Sequence, residues 1–266
     1  MTTDEDPKVA PTRYRTTRPK VPPIAARRVI DVPINDHLAV QLRGFEHTDI
    51  QHVHRLRTQE LVMVFTSTGT IDADLAATQT WMDRFMPPND TKTFSMMVWA
   101  KQDGEPWEHI GSVGCAMMGP VPHLGYMLRT EWWGRSIATL MVRALLKAWW
   151  DLPRTEIEVN TADAKDDHDR YLMSLEMNQP EGKGDSGSTS GDGIRTVPEV
   201  LLAEIEENNI GSQRVVTKCG FRYRGQEVLN DHGYRIRDGK VVKDPSAVTA
   251  TLYDYIYTLP HPRSTS

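Results

Sequence analysis

Gly134-Arg135-Ser136 stands where an apolar, aromatic stretch gives way to a helical pattern. The first N–H groups of a helix lack internal partners, and the helix dipole adds partial positive charge there. With no bulky side chain at 134 or 136, a phosphate can approach that backbone closely. The same residues also suit a turn that needs only the freedom of glycine. The Lys-Ser/Thr that completes a nucleotide-binding P-loop does not follow the glycine, which counts against a nucleotide-phosphate protein. His47, His52 and His54 invite a metal reading. On a helix their spacing puts them on different faces, and no cysteine or acid cluster joins them, so no metal is expected.

The elements that hold these residues are legible. His123–Arg129 has the make-up of a part-buried strand, and Thr130, Glu131 and Gly134 make a turn. From Ser136 onward Ile137, Leu140, Met141, Ala144, Leu145, Ala148 and Trp149 recur at three- and four-residue steps, one face of a helix. A second helix is predicted over the segment NNIGSQRVVTKCGF. Asn208 or Asn209 caps it, Val215 and Val216 form its apolar side, and Gly220 ends it.

The wording of both segments goes beyond a strand, a turn and two capped helices. GYMLRTEWWGRSIAT resembles the acyl-CoA-binding motif of the GNAT acetyltransferase superfamily, closest to the branch that acetylates ribosomal-protein N-termini (alanine or serine). NNIGSQRVVTKCGF resembles the family's Asn-x-x-Ser-x-x-Val-x-x-x-x-Gly-Phe segment and follows in the family's order. Ser136 departs from the usual Gly or Ala, and Glu131 stands where many members have Gln or Arg. The resemblance covers roughly residues 37–260.

Length and composition agree with one domain of this size. The chain has 266 residues, 39% hydrophobic and 25% charged, as in a soluble globular protein diluted by polar tails. A net charge of −5 disfavours a general nucleic-acid binder. No apolar run is long enough to span a bilayer, and the acidic start Met1-Thr-Thr-Asp-Glu-Asp lacks the bases of a signal segment. Cys115 and Cys219 are far apart, which fits a reducing compartment better than a disulfide scaffold. A cytoplasmic protein, monomeric or homodimeric, with no membrane or nucleic-acid partner is expected.

Residues 1–30, rich in Thr, Pro, Lys and Arg, read as a disordered tail, and 261–266 as a second tail. Between them, 31–260 reads as a single GNAT-like α/β domain. Its sheet is expected to be mixed and mostly antiparallel, with about six or seven strands, flanking helices and a central parallel pair that splays to bind CoA. Leu38, Val40 and Leu42 alternate in an opening strand. A helix capped at Thr48 or Asp49 runs to about Leu61, and a second spans Ile71–Phe85. Strands follow at Thr93–Lys101 and His109–Met117. Thr155–Asn160 is expected to lie parallel to 123–129 through a right-handed crossover. Residues 163–195, acidic and then Gly/Ser-rich, read as a mobile insertion dispensable for folding. Pro198–Glu207 suits helix by composition and strand by the resemblance. Phe221–Leu229 and Thr249–Tyr257 are the last strands, joined by a polar loop or hairpin.

The resemblance implies an acetyl-CoA-dependent N-acetyltransferase with no metal. Its acceptor is a primary amine on a protein N-terminus or a small molecule. The diphosphate falls on the amides of Trp133, Gly134, Arg135, Ser136, Ile137, Ala138 and Thr139. Free backbone groups of Met127 and Leu128 hold pantetheine, and the Leu128 N–H receives the oxyanion. Asn209 and Ser212 contact the cofactor arm. Glu60, with Glu46 as its rival, is the implied general base, and the loop Thr66–Thr70 flanks the acceptor. The family's tyrosine acid falls at Val216 and is absent. The alternative is a catalytically silent acyl-CoA-binding or interaction protein on the same scaffold.

Overall fold

The computed structural model describes residues 13–116, 121–160, 162, 194–230, 233–244, 246 and 249–258. The expectations for residues 1–12, for most of the 163–195 insertion and for the last tail fall outside these.

Five strands form an antiparallel meander: Ile30–Asn35 (β2), Leu38–Arg43 (β3), Thr93–Gln102 (β4), Glu108–Ala116 (β5) and His123–Leu128 (β6). Helix Ile137–Trp150 (α4) then crosses the sheet, and Val200–Glu206 (β9) joins β6 in parallel. Helix Ile210–Lys218 (α5) leads to Arg222–Asn230 (β10) and Thr249–Thr258 (β13), which complete the order β10-β13-β9-β6-β5-β4-β3-β2. Among the described residues the main sheet thus has eight strands, one more than the upper expectation. Between β10 and β13, Tyr234–Arg237 (β11) and Lys240–Lys243 (β12) make a separate hairpin.

Each face of the sheet buries its own core. Phe94, Met96 and Val98 of β4 face one side with Ile137, Met141, Leu145 and Trp149 of α4, all buried. Burying a side chain of this size contributes about 1.5–3 kcal/mol. The other face carries Met97, packed with Phe45, Val53, Met82 and Phe85. These last come from helices Ile50–Arg57 (α1) and Leu75–Met82 (α3) and their flanks. Glu60–Met63 (α2) lies between them. The predicted first helix is therefore broken at Thr58, whose hydroxyl donates to the His54 carbonyl. The predicted second helix starts only at Leu75, where the Asp74 carboxylate caps the N–H of Ala77.

Two expectations are overturned. Arg154–Asn160 (β7) does not pair with β6; it runs antiparallel to Arg13–Pro19 (β1). A central strand must be apolar on both faces, and VLLAEIE of β9 is buried almost throughout, whereas RTEIEVN of β7 alternates with glutamates. The ambiguous segment 198–207 is accordingly a strand. Residues 13–30 are not a disordered tail, for β1 is the centre of a sheet ordered β7-β1-β8, β8 being Arg195–Thr196. Arg13 and Arg15 pair with Glu158 across the β1–β7 ladder, and Tyr14 and Thr16 turn inward and are buried. No helix among the described residues is long and apolar enough to cross a membrane.

Candidate active site

Strands β6 and β9 meet at one backbone bridge, His123 to Leu202, and then part. The Arg129 N–H donates to the Ile110 carbonyl at 2.8 Å, and Gly111 lies opposite Leu128. In an antiparallel ladder this register turns the backbone groups of Met127 toward Ser112 of β5. Those of Tyr126 and Leu128 then point into the split. The expectation that Met127 offers free backbone groups is therefore corrected; only its side chain faces the cleft. The Leu128 carbonyl accepts a 2.7 Å bond from the Trp133 indole. That bond holds the half-exposed Trp133 ring over the edge of the split.

The turn after β6 is built by ion pairs. Arg129 is buried, and its guanidinium binds Glu108 and Glu131. Burial alone would raise the Glu131 carboxyl. Its backbone bond, Arg129 and Gln59 instead hold it down at about 2. A carboxylate at this position is thus neutralised from behind. Gln59 also accepts from the Thr130 N–H at 2.9 Å, which ties the α1–α2 junction to the turn. Gly134 takes φ +74° and Ser136 φ +62°, both left-handed. A methyl added at Gly134 would meet open space, so glycine serves the backbone angle there, not a close approach. The first α4 bond runs from the Leu140 N–H to the Ser136 carbonyl, and Ser136 gives no side-chain cap. The N–H groups of Ile137, Ala138 and Thr139 therefore have no partner within the helix.

These features line one cleft of about 1030 Å³. Residues 133–139, Met127, Leu128, Asn209 and Ser212 all line it. The Asn209 carboxamide oxygen caps the Ser212 N–H at 3.1 Å, so that oxygen serves α5 itself. The Tyr126 hydroxyl donates to the Ser212 carbonyl at 3.3 Å and joins β6 to α5 across the split. Burial pushes the Tyr126 phenol up, so it stays protonated at neutral pH.

On the α1–α3 side the cleft is walled by Phe45, Phe65, Trp81 and Phe85, with Thr66 and Ser67 from the predicted acceptor loop. Glu60 is elsewhere, in a separate shallow hollow with Thr130 and Lys240, because the break at Thr58 reorients α2. Glu46 is exposed and pairs with Arg43. Neither implied base reaches the cleft. Two carboxylates of β9 do, Glu204 and Glu206, and Glu204 has its Oε2 2.9 Å from His123 Nδ1 of β6. The only sequence signal for this pair was two titratable residues inside apolar strands, and their pairing depends on the β6–β9 register. Among the described residues, no three His, Cys, Asp or Glu side chains gather into a metal site.

Residues 40–222 of this chain match a family model described as Acetyltransferase (GNAT) domain. This chain belongs to the GNAT acetyltransferase family. Among solved structures, this GNAT chain is similar to a GNAT acetyltransferase from Bacillus anthracis at 16% identity, covering 86% of this chain and 98% of that one, with a TM-score of 0.49. It is similar to the ribosomal-protein-S5-alanine acetyltransferase of Vibrio fischeri at 13% identity, with 87% and 98% covered and a TM-score of 0.49. It is also similar to the spermidine N-acetyltransferase of Vibrio cholerae, in complex with CoA and spermine, at 10% identity, with 85% and 97% covered and a TM-score of 0.48. No curated protein sequence matches this GNAT chain.

Proposed function

We propose that this acetyltransferase moves acetyl from acetyl-CoA to a primary amine, on a protein N-terminus or a small molecule, by direct attack on the thioester. The observation that carries the reading is the split between β6 and β9 with α4's uncapped amides at its mouth. The diphosphate lies on the amides of residues 137–139, and pantetheine runs down the split toward His123. The oxyanion role expected of the Leu128 N–H is reassigned in this reading: the Leu128 N–H holds an arm amide, and the Tyr126 N–H, one pair deeper, receives the thioester oxygen as it becomes an oxyanion.

The two proton transfers fall on opposite faces of the split. Leu202 is level with His123, so Glu204 is level with Gly125, about 3 Å short of Tyr126 along the strands. Glu204 and His123 share the face of Met127 and the aromatic wall, where the amine enters. The Tyr126 ring lies on the α4–α5 face. The amine nitrogen forms the new C–N bond, its surplus proton passes to Glu204, and the C–S bond breaks. The departing thiolate takes the Tyr126 phenol proton, which solvent restores. This supplies an acid from β6 in place of the one missing at Val216.

The test is thiol release from acetyl-CoA across a panel of amines and peptide N-termini, together with CoA calorimetry. Gly134→Glu puts a carboxylate against the diphosphate amides and is expected to abolish CoA binding, with circular dichroism confirming that the fold survives. Unchanged affinity in the folded variant removes this turn from the site. Tight CoA binding without thiol release for any amine supports the silent-binding alternative.

A further inference from the structure

The acceptor side of the cleft has a wall of interlocked rings. Phe45 and Phe85 stack with their centroids 5.2 Å apart, and Trp81 meets Phe85 edge-on at 4.6 Å. All three line the cleft. Two of these rings already carry a cation. The Arg57 guanidinium lies over Trp81 at 4.6 Å, and that of Arg84 lies over Phe85 at 5.7 Å. Arg57 is held there by the buried Asp72 carboxylate. A further cation brought to this wall meets like charge, so the rings do not form a cage for an ammonium group. They suit an uncharged ring, packed by its edge or its face.

Space for such a ring lies over β6. Glycine weakens the interior of a strand and often marks a place where something approaches closely. At Gly111 and Gly114 of β5 the approaching atoms belong to the neighbouring strands, Met127 and Leu128 in one case and Ser95 in the other. At Gly125 of β6 a methyl group would meet no atom of the described residues within 4 Å, and the residue lines the cleft. Gly125 shares the sheet face of Met127, two residues on, and stands opposite Gly114. Glu204 is level with it across the split. A substituent on the carbon beside the reacting amine therefore falls over Gly125.

We infer that the acceptor is an amine carrying a flat apolar ring beside its nitrogen, and that Gly125 is the specificity-determining residue that admits the ring. This rests on the acetyl-transfer reading above. The amine meets Glu204, and the ring lies over Gly125 against the wall of Phe45, Phe85 and Trp81. A side chain at 125 would occupy the space the ring needs. The same chemistry comes from two sources, a peptide that begins with an aromatic residue or a small aromatic amine.

The experiment is steady-state thiol release from acetyl-CoA by the full chain with glycinamide, phenylalaninamide, a peptide beginning with phenylalanine, and spermidine. The unaltered protein is expected to use the two phenylalanyl acceptors with a kcat/KM about tenfold or more above that for glycinamide, the worth of burying one ring. Spermidine is expected to be slower than either. Gly125→Leu is expected to erase the preference for the ring while CoA affinity by calorimetry stays within about twofold. Gly125→Ala adds a single methyl group and is expected to fall between, which keeps the test decisive if leucine unsettles the strand. Whichever phenylalanyl acceptor is faster names the source, and either supports the inference. Equal rates for glycinamide and phenylalaninamide, or a faster spermidine, overturn it and leave acetyl transfer standing. An equal loss for every acceptor in the Gly125 variants also overturns it, assigning the residue to the thioester. CoA binding without thiol release for any amine overturns the acetyl-transfer reading and this inference with it.

Discussion

In the proposed reaction Glu204 and Tyr126 make opposite demands on protons, and single substitutions separate them. Glu204→Gln keeps the size and a hydrogen-bonding group near His123 but cannot accept the amine proton. The turnover number is expected to fall by about a hundredfold or more, and most of the loss is expected to be recovered at high pH with an amine that is already neutral. CoA affinity measured alongside should not move. A kcat within about twofold of the unaltered enzyme would take Glu204 out of the reaction. Tyr126→Phe removes the phenol proton and the bond to Ser212. Its kcat is expected to drop by about tenfold to a hundredfold, with CoA dissociation little changed. The effect is bounded because a thiolate, with a thiol pKa near ~8.5, is a tolerable leaving group. Parallel losses in kcat and CoA affinity would assign Tyr126 to positioning. Neither residue stood out in the sequence. Tyr126 reads as one more apolar residue of a strand, and Glu204 as a polar interruption of another. Their roles depend on which strand lies beside β6.

The same dependence on distant partners explains which elements were legible. β4, β5 and α4 declare themselves because burial writes a local pattern, continuous in the strands and helical in α4. The turn at 130–136 was legible because glycine at 134 answers a backbone need. β1 was not, since RYRTTRP looks like a basic tail until the glutamates of β7 are set beside it. It did carry a period-two trace in Tyr14, Thr16 and Arg18, three of its four buried positions. The Thr58 break in α1–α2 left no signal, and it misplaced Glu60. The β1 pairing yields a test at this scale. Removing residues 1–20 exposes β7 and takes out the fully buried Tyr14. Loss of a buried aromatic alone costs about 3–5 kcal/mol, so the truncated chain should melt at least several degrees lower. An unchanged melting temperature would show that β1 is dispensable.

For the whole molecule, pH acts on stability through His109. Its imidazole is buried on β5, with Nδ1 3.0 Å from the His52 carbonyl, and burial pushes its pKa down from 6.5 to about 4. Between those values the unfolded chain binds a proton that the native state refuses. Stability from this residue is therefore full above about pH 6.5 and is lost progressively as pH falls toward 4, by about 3 kcal/mol in all. Urea unfolding of His109→Gln should show a shallower decline across that range than the unaltered protein; identical slopes would assign the acid sensitivity to other groups. The split sheet has a consequence of another kind. Five strands stand on one side of the His123–Leu202 bridge and three on the other, so two raw strand edges face each other inside one molecule. An unpaired edge is ordinarily a hazard, open to any chain that can pair with it. Here a single extended molecule in the wedge restores pairing along both edges at once. On the proposed reading, a pantetheine arm in that place behaves as a donated ninth strand, withdrawn and replaced at every turnover.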